Sequence, residues 1–403
     1  MSSKKLYVPV DQVDLQINLP SSKSISNRAL ILNALAYSPY TIQNLSDCDD
    51  TRVTVRALDS NDTTFDIGAA GTAMRFLAAF LSKTVGEWVI TGSGRMKNRP
   101  IRLLVDALNS LGAKIEYVEK EGYPPLRIFG SALQGGEVRL NGGVSSQYIS
   151  ALMMIAPYME QGLKILLEGN VISVPYIQMT MDMMKEYGVD VVFENNVIDI
   201  RPQTYKPIQY KVESDWSAAS YWYEILSIAG AGKIFLPGLY EKSFQGDRKV
   251  ADLYLNLGVK TEFSKNGALL MATGNYITDF KYNFVNQPDL VQTFVVTCCV
   301  SKIPFHFKGV QSLKIKETDR VAALINELAK FGFKLIEPKE GELAWTGEMI
   351  NIGGEVPVVR TYEDHRMAMA FAPIALKYKL EISEPEVVSK SYPAFWEDFS
   401  KLK

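Results

Sequence analysis

Apolar positions along this chain switch repeatedly between the 3.6-residue period of a buried helix and the two-residue period of a strand. The switch has a recurring form. A helical stretch closes on an apolar residue and a glycine, and a short alternating strand follows. Leu111-Gly112-Ala113-Lys114-Ile115-Glu116-Tyr117 is one instance and Tyr187-Gly188-Val189-Asp190-Val191-Val192-Phe193 another. Leu257-Gly258-Val259-Lys260-Thr261-Glu262-Phe263 and Phe331-Gly332-Phe333-Lys334-Leu335-Ile336 complete the set. Glycine there suits the left-handed position just past a helix end. The four glycines stand about 70 to 76 residues apart, a spacing that predicts internal duplication.

A second helix is predicted within each repeat, starting near Ser24, Gly71, Ser145, Asp215, Asp289 and Asp364. Each opens on small or polar residues and then runs apolar, as in Ala73-Met74-Arg75-Phe76-Leu77-Ala78-Ala79-Phe80. Short strands follow, such as Trp88-Val89-Ile90 and Leu163-Lys164-Ile165-Leu166-Leu167. Stretches rich in small residues, Ala218-Ala219-Ser220 and Ala368-Met369-Ala370, read as helices buried on all sides. The pattern amounts to about six β/α units, the first shortened, in a layered α/β architecture. Leu19-Pro20-Ser21 and the stretch after Pro202 and Pro207, ending at Glu213-Ser214-Asp215, are the boundaries. They divide the chain into 20–214 and a second domain of 1–19 with 215–403, three units each. The first strand is free to pair with either.

Composition narrows the function. The 403 residues are 47% hydrophobic and 22% charged, with a net charge of -2, so any anion site must come from local clustering rather than a global field. Three Cys and two His give neither a disulfide framework nor a zinc spacing. The start, Met1-Ser2-Ser3-Lys4-Lys5-Leu6-Tyr7, has no apolar signal region, and no apolar run reaches membrane length. A cytoplasmic location is expected.

The chemistry gathers at helix starts. Lys316-Glu317-Thr318-Asp319-Arg320 packs two cations and two anions ahead of the apolar-periodic Val321–Leu328, with Thr318 or Asp319 as cap. Ser21-Ser22-Lys23-Ser24-Ile25-Ser26-Asn27-Arg28 opens the first helix. Gly68-Ala69-Ala70-Gly71-Thr72-Ala73-Met74-Arg75 lets backbone approach an anion, without the spacing of a P-loop. Met96-Lys97-Asn98-Arg99-Pro100, Ser145-Ser146-Gln147, Asp364-His365-Arg366 and Lys390 add donors and charge. Singly, each reads more readily as a cap, a turn or a solvated face. Together, Lys23, Arg28, Arg99, Lys316, Arg320, Arg366 and Lys390, all at or near helix starts, suggest a site for more than one phosphate or carboxylate. Asp289 and Glu317 are the candidate acid/base groups.

Six of these motifs occur in one order over about 350 residues. They are Ser22-Lys23-Ser24-Ile25-Ser26-Asn27-Arg28, Gly71-Thr72-Ala73-Met74-Arg75, Met96-Lys97-Asn98-Arg99-Pro100-Ile101, Ser145-Ser146-Gln147, Lys316-Glu317-Thr318-Asp319-Arg320 and Asp364-His365-Arg366-Met367-Ala368-Met369. The set resembles the 5-enolpyruvylshikimate-3-phosphate synthase family of enolpyruvyl transferases. That resemblance implies two similar domains, each of three βαβαββ units with helices inside and sheets outside (an inside-out α/β barrel), and an active site in the interdomain cleft. It implies a reaction of shikimate 3-phosphate with phosphoenolpyruvate, through a tetrahedral intermediate that loses phosphate, without metal or organic cofactor. A monomer with small-molecule partners is expected, with no nucleic-acid or membrane partner.

Carried over to this chain, the resemblance gives Lys23 contact with both substrates. It assigns Ser24, Arg28, Ser145, Ser146, Gln147, Ser173, Tyr176, Asp289 and Lys316 to shikimate 3-phosphate. It assigns Gly71, Arg99, Gln147, Arg320, Arg366 and Lys390 to phosphoenolpyruvate. Asp289 is the implied base toward the 5-hydroxyl, and Glu317 with Lys316 the implied proton relay to the methylene carbon. Three positions depart from the family pattern: Ala69 and Ser312, each where an Asn is common, and Phe76 where a Pro is common. The first two remove polar contacts, which bears on affinity and on response to phosphonate inhibitors such as glyphosate rather than on the reaction. His306 reads as a strand residue, Cys298 and Cys299 as core, and Cys48 as no nucleophile. Two other readings are a transferase acting on UDP-N-acetylglucosamine and a non-catalytic binder of phosphorylated metabolites. Ser24 and the absence of Cys between Cys48 and Cys298 weigh against the first. Carboxylates among the cations weigh against the second.

Overall fold

The computed structural model describes residues 2–143 and 145–402. The chain divides into two compact units, Met1–Pro20 with Glu213–Lys403, and Ser21–Val212. One sheet topology recurs through both. A leading strand pairs in parallel with a second, the second pairs antiparallel with a third, and a fourth, where present, completes a hairpin with the third.

In Ser21–Val212, Thr64–Asp66 runs parallel to Gly86–Thr91, which is antiparallel to Leu126–Gly130, itself paired with Lys114–Tyr117. Gly136–Asn141, Leu163–Glu168, Val197–Ile200 and Val192–Glu194 repeat that arrangement. Parallel neighbours need a crossover, and the helices Gly71–Lys83 and Ser146–Ile155 supply it. A second helix, Arg102–Ser110 or Val174–Glu186, leads to each hairpin. The shortened unit keeps its helices, Lys23–Leu35 and Asp49–Asp59, but its pairing is reduced to a bridge between Gln43 and Lys211.

The other unit holds three such sheets. Val13–Gln16 runs parallel to Gly232–Pro237, followed by Gly267–Tyr276 and Leu257–Ser264. Phe280–Asn283, Phe305–Lys308 and Glu342–Trp345 form the second. Val358–Val359, Leu380–Ser383 and Ser3–Leu6 form the third. The N-terminal segment therefore supplies one strand to each of two sheets of this unit, which the local chain leaves a strand short. None of the sheets closes on itself.

Burial explains the layering. The helix Val291–Val300 is buried at every position, as is His365–Phe371, while strands such as Gly136–Asn141 alternate buried and exposed. Helices wrapped on all sides and sheets wetted on one face put helices inside and sheets outside within each unit. Cys298 and Cys299 lie in that core, where burial raises both thiols. His306 sits in a strand with Nε2 2.8 Å from Glu342 Oε2.

The repeat signal holds at two of its four positions as read. Gly112 and Gly188 follow helices at positive φ. Gly258 also takes positive φ but lies inside the strand Leu257–Ser264, at a register shift between Leu257 and Val259. The preceding helix stops at Tyr254, because Leu257 is already captured by pairing with Tyr276. After Gly332 the expected strand is reduced to isolated bridges, Phe333 to Met349 and Ile336 to Ala344.

One core residue breaks the apolar pattern. Glu224, on the inner helix Trp216–Ala229, is 0% exposed, and neither carboxyl oxygen has a hydrogen-bond partner. Burial holds its carboxyl well above the usual range, so the folded protein keeps it neutral. The sign follows. Below the unfolded value both states are protonated and the residue is neutral to stability. As pH rises past it, only the unfolded chain releases the proton, and stability falls. Glu224→Gln is therefore expected to raise the melting temperature by an amount that grows as pH rises from about 4.5 toward neutrality. Thermal unfolding across that range checks this; a gain independent of pH would show that Glu224 does not carry the proton.

Candidate active site

In the unit Ser21–Val212, polar side chains converge from the starts of four helices. Ser22 caps Lys23–Leu35 by accepting from Ile25 N at 3.4 Å. Lys23 stands in the first turn with Nζ 3.7 Å from Asp50 Oδ2, a carboxylate sunk in the neighbouring helix. One turn on, Arg28 is 2% exposed and meets only neutral acceptors. Its Nε donates to Thr180 Oγ1 at 2.8 Å and Nη2 to Ser150 Oγ at 3.0 Å. Nη1 donates to Ser24 O at 2.9 Å and Nη2 to Tyr176 O at 3.4 Å. Burial without a carboxylate pulls its basicity down to about 10. Arg28 thus fixes the backbone of Ser24 and Tyr176 and joins three helices.

The same unit brings the glycine-rich start and the serines together. Gly71 begins its helix after Ala70, which offers no side-chain cap, so amide N–H groups there remain for a ligand. A Cβ at Gly71 would collide with the guanidinium of Arg99 and lie 2.8 Å from Arg75 Nη1, so glycine is what lets both cations close over this turn. Arg75 Nη1 donates to Gly71 O at 2.8 Å. Gln147 Nε2 donates to Thr72 Oγ1 at 3.2 Å, linking the helix after Gly71 to the one capped by Ser145. Ser146 opens that second helix. Ser173, buried with φ +55, stands at the N-cap position of Val174–Glu186 with no side-chain cap, and Pro175 and Tyr176 occupy the first turn.

In the other unit, one guanidinium organises the charge. Arg320 begins the helix Arg320–Ala329, whose N-cap is Asp319, accepting from Ala322 N at 3.0 Å. The side chain is 1% exposed and meets three carboxylates. Nε is 2.7 Å from Asp364 Oδ2, Nη2 2.9 Å from Glu317 Oε2, and Nη1 3.2 Å from Asp289 Oδ1. Asp364 has a second task, capping His365–Phe371 by accepting from Arg366 N at 2.9 Å. Arg366 returns across the group: Nη2 is 3.0 Å from Asp289 Oδ2 and Nη1 3.2 Å from Asp289 O. Lys390 Nζ closes the ring 3.1 Å from Glu317 Oε1.

Burial alone would lower the basicity of Arg320, but the three carboxylates, Asp364 foremost, outweigh it and hold the guanidinium charged. Burial lowers the Lys316 ammonium below its ordinary value, opposed chiefly by Asp289. A lysine so shifted gives up its proton more readily than a surface lysine. Four cations, Lys316, Arg320, Arg366 and Lys390, thus surround Asp289, Glu317 and Asp364 in one patch. Such a patch can bind an anion and move a proton with the same side chains.

The expected residues fall into these two groups, each within its own unit. Lys23, Ser24, Arg28, Gly71, Arg99, Ser145, Ser146, Gln147, Ser173 and Tyr176 belong to one; Asp289, Lys316, Glu317, Arg320, Arg366 and Lys390 to the other. One expected placement differs. Lys390 closes the turn Pro385–Lys390 instead of starting a helix, since Pro385 takes the first position of that turn. Sequence reasoning missed Asp50, Thr72, Ser150, Thr180 and the clamping role of Asp364. A capping residue such as Asp364 is visible in sequence; its distant partner Arg320 is not. Cys48 is buried, and burial with Asp50 nearby raises its thiol, as expected of a core residue. Among the described residues no group of three or more His, Cys, Asp or Glu is placed to hold a metal ion. No described helix is long and apolar enough to cross a membrane.

The chain is similar to known proteins over its whole length. A family model described as EPSP synthase (3-phosphoshikimate 1-carboxyvinyltransferase) matches residues 8–60 and 58–399. A 3-phosphoshikimate 1-carboxyvinyltransferase of Bacteroides fragilis is 51% identical over 392 residues, 97% of this chain and 95% of that protein. One from Vibrio campbellii is 37% identical over 430 residues, 98% of this chain and 97% of that protein. A solved EPSP synthase from Acinetobacter baumannii aligns with a TM-score of 0.80 at 19% identity, covering 100% of this chain and 98% of that one, a likeness of fold.

Removing Arg320 would leave three carboxylates uncompensated. Arg320→Met is expected to cost about 3–5 kcal/mol of unfolding free energy at neutral pH. The deficit should shrink on acidification, as the stranded carboxylates take up protons. Urea unfolding at neutral and acidic pH measures it; a deficit that does not shrink would assign the loss to packing.

Proposed function

The chain belongs to the EPSP synthase (3-phosphoshikimate 1-carboxyvinyltransferase) family, and we propose that it transfers the enolpyruvyl group of phosphoenolpyruvate to the 5-hydroxyl of shikimate 3-phosphate. The observation that carries this reading is the pair Asp289 and Glu317, both ionically clamped by the single guanidinium of Arg320. A site meant only to hold anions gains nothing from carboxylates, which repel its ligand. A site that must bind two anions and shuttle protons needs both signs.

The chemistry divides among the residues as follows. Asp289, held between Arg320 and Arg366, takes the proton of the 5-hydroxyl as its oxygen bonds to the enol carbon. Glu317, between Arg320 and Lys390, relays a proton to the methylene carbon with help from Lys316. The resulting tetrahedral adduct expels phosphate, and the methyl carbon gives back a proton to restore the double bond. Lys23 meets both anions. Ser24, Ser145, Ser146, Gln147, Ser173 and Tyr176 orient the hydroxylated acceptor, with Arg28 fixing Ser24 and Tyr176. Gly71 with Arg99, and Arg320, Arg366 and Lys390, neutralise phosphoenolpyruvate. Fixed cations offset the mutual repulsion of the substrates without reorganising during the reaction. The working form we propose is a single chain in the cytoplasm; the three buried free thiols support the reducing compartment.

Phosphate release is expected when phosphoenolpyruvate is mixed with shikimate 3-phosphate and not when the acceptor is UDP-N-acetylglucosamine; the reverse pattern would overturn the assignment. Glu317→Gln should slow single-turnover chemistry by about 10²-fold or more while changing substrate binding far less, as loss of a proton-transfer group does. Unchanged single-turnover chemistry would move the relay to Lys316 or Lys390.

A further inference from the structure

A carboxylate of the helix Arg320–Ala329 takes no part in this chemistry. Glu327 stands seven residues after Arg320, two turns along the same helix face, and is 1% exposed. It grips the chain that leads into Asp364. Oε1 accepts from the Tyr362 hydroxyl at 2.7 Å and Oε2 from Arg360 N at 3.0 Å. The Lys330 ammonium sits against Oε2 and also donates to Val358 O at 2.8 Å. The segment held this way is strained. Tyr362 and Glu363 are consecutive at φ +55 and +56, and neither is glycine. Glycine, and to a lesser degree Asn or Asp, enters that region readily; other residues stay there only where their surroundings hold them. Asp364 follows directly, its N–H closing a turn to Thr361 O at 2.9 Å.

We propose that Glu327 and Tyr362 are positioning residues for the reaction: their hydrogen bond fixes the left-handed pair Tyr362–Glu363 and so sets the spacing of the Arg320 and Arg366 guanidiniums. The proposal rests on the function assigned above. One helix takes hold of the segment 360–366 at two points. Arg320, at its start, meets Asp364 with Nε 2.7 Å from Oδ2; Glu327, near its end, holds Arg360 and Tyr362. Asp364 in turn caps the helix His365–Phe371 by accepting from Arg366 N at 2.9 Å. When the far hold is released, the left-handed pair relaxes toward ordinary backbone, Asp364 turns with it, and Arg366 shifts relative to Arg320. Both arginines are assigned to phosphoenolpyruvate, so its charged groups lose their matched partners. Shikimate 3-phosphate, most of whose assigned partners lie in Ser21–Val212, is affected less. Burial and the Glu327 carboxylate push the Tyr362 phenol up to about 12, opposed by Asn326 and Arg360, so the hydroxyl keeps its proton and remains a donor.

The test compares KM for phosphoenolpyruvate with KM for shikimate 3-phosphate, both followed by phosphate release, in wild type, Tyr362→Phe and the double variant Tyr362→Phe with Glu363→Asn. Tyr362→Phe keeps the ring and removes only the hydroxyl. Its KM for phosphoenolpyruvate is expected to rise about tenfold, the effect of losing a hydrogen bond to a charged group, with KM for shikimate 3-phosphate within about twofold of wild type. Glu363 is exposed, and Asn enters the left-handed region at lower cost. The double variant should therefore return KM for phosphoenolpyruvate toward the wild-type value. An unchanged ratio of the two KM values in Tyr362→Phe overturns the proposal. That includes a variant with a lower melting temperature and smaller kcat, which is what loss of a purely structural contact gives. A raised ratio that Glu363→Asn leaves untouched overturns it too, because the left-handed pair is then not what the hydrogen bond fixes. If Tyr362→Phe does not fold, Glu327→Gln, which keeps the shape and loses the charge facing the phenol and Arg360 N–H, is judged by the same ratio. A wild-type protein that releases no phosphate from the two substrates removes the parent reading and this one with it; an active wild type with an unchanged ratio in the variants removes this one alone.

Discussion

The Arg320 guanidinium and its three carboxylates are the constraint on which the unit Met1–Pro20 with Glu213–Lys403 depends. Burying a guanidinium this deep costs least when its donors are met and its charge is opposed. Asp364 and Asp289 meet Arg320 from distant parts of the chain, and Glu317 from three residues before it. The arrangement ties the start of one helix to the cap of another and to the turn before a third. Three carboxylates around one cation would leave excess negative charge, and Arg366, Lys390 and Lys316 bring the patch back toward positive. The groups that hold this region of the fold are thus the groups that carry the proposed chemistry.

The unit Ser21–Val212 solves the same problem by other means. Arg28 is nearly as deep, yet its partners are hydroxyls and carbonyls. Burial lowers its basicity, and with no carboxylate among its partners its charge leaves positive potential among the helix starts that present Ser24, Ser145 and Tyr176. Open amide groups at Gly71 and the guanidiniums over it add to that potential. One unit gathers positive charge alone, the other gathers cations and carboxylates together.

Much of this was legible beforehand because it follows from local physics. Buried helices need a cap and a run of apolar residues, and both leave a linear trace. The sequence predicts helix starts at Ser145, Asp215 and Asp364, and all three are N-caps in the structure. The duplicated spacing announced a repeated β/α unit, and the recurring sheet topology bears it out. The trace fails where pairing overrides propensity. The sequence predicts a helix end at Gly258, but a long antiparallel partner draws Leu257 into a strand. The sequence places Lys390 among the helix starts, and it closes a turn.

By itself the sequence determined the α/β repeat, the buried inner helices and the inventory of charged residues at their ends. Each of these depends on neighbours within a few residues. Only the tertiary structure decided the partners. That Arg320 is shared by Asp289 and Asp364, and that Arg28 faces Ser150 and Thr180, are relations across tens to more than a hundred residues. Ser3–Leu6 joining Leu380–Ser383 is of the same kind. Hydrogen bonds and Coulomb forces act through space, and burial multiplies them. Periodicity along the chain records which side chains are buried but not which ones burial brings together.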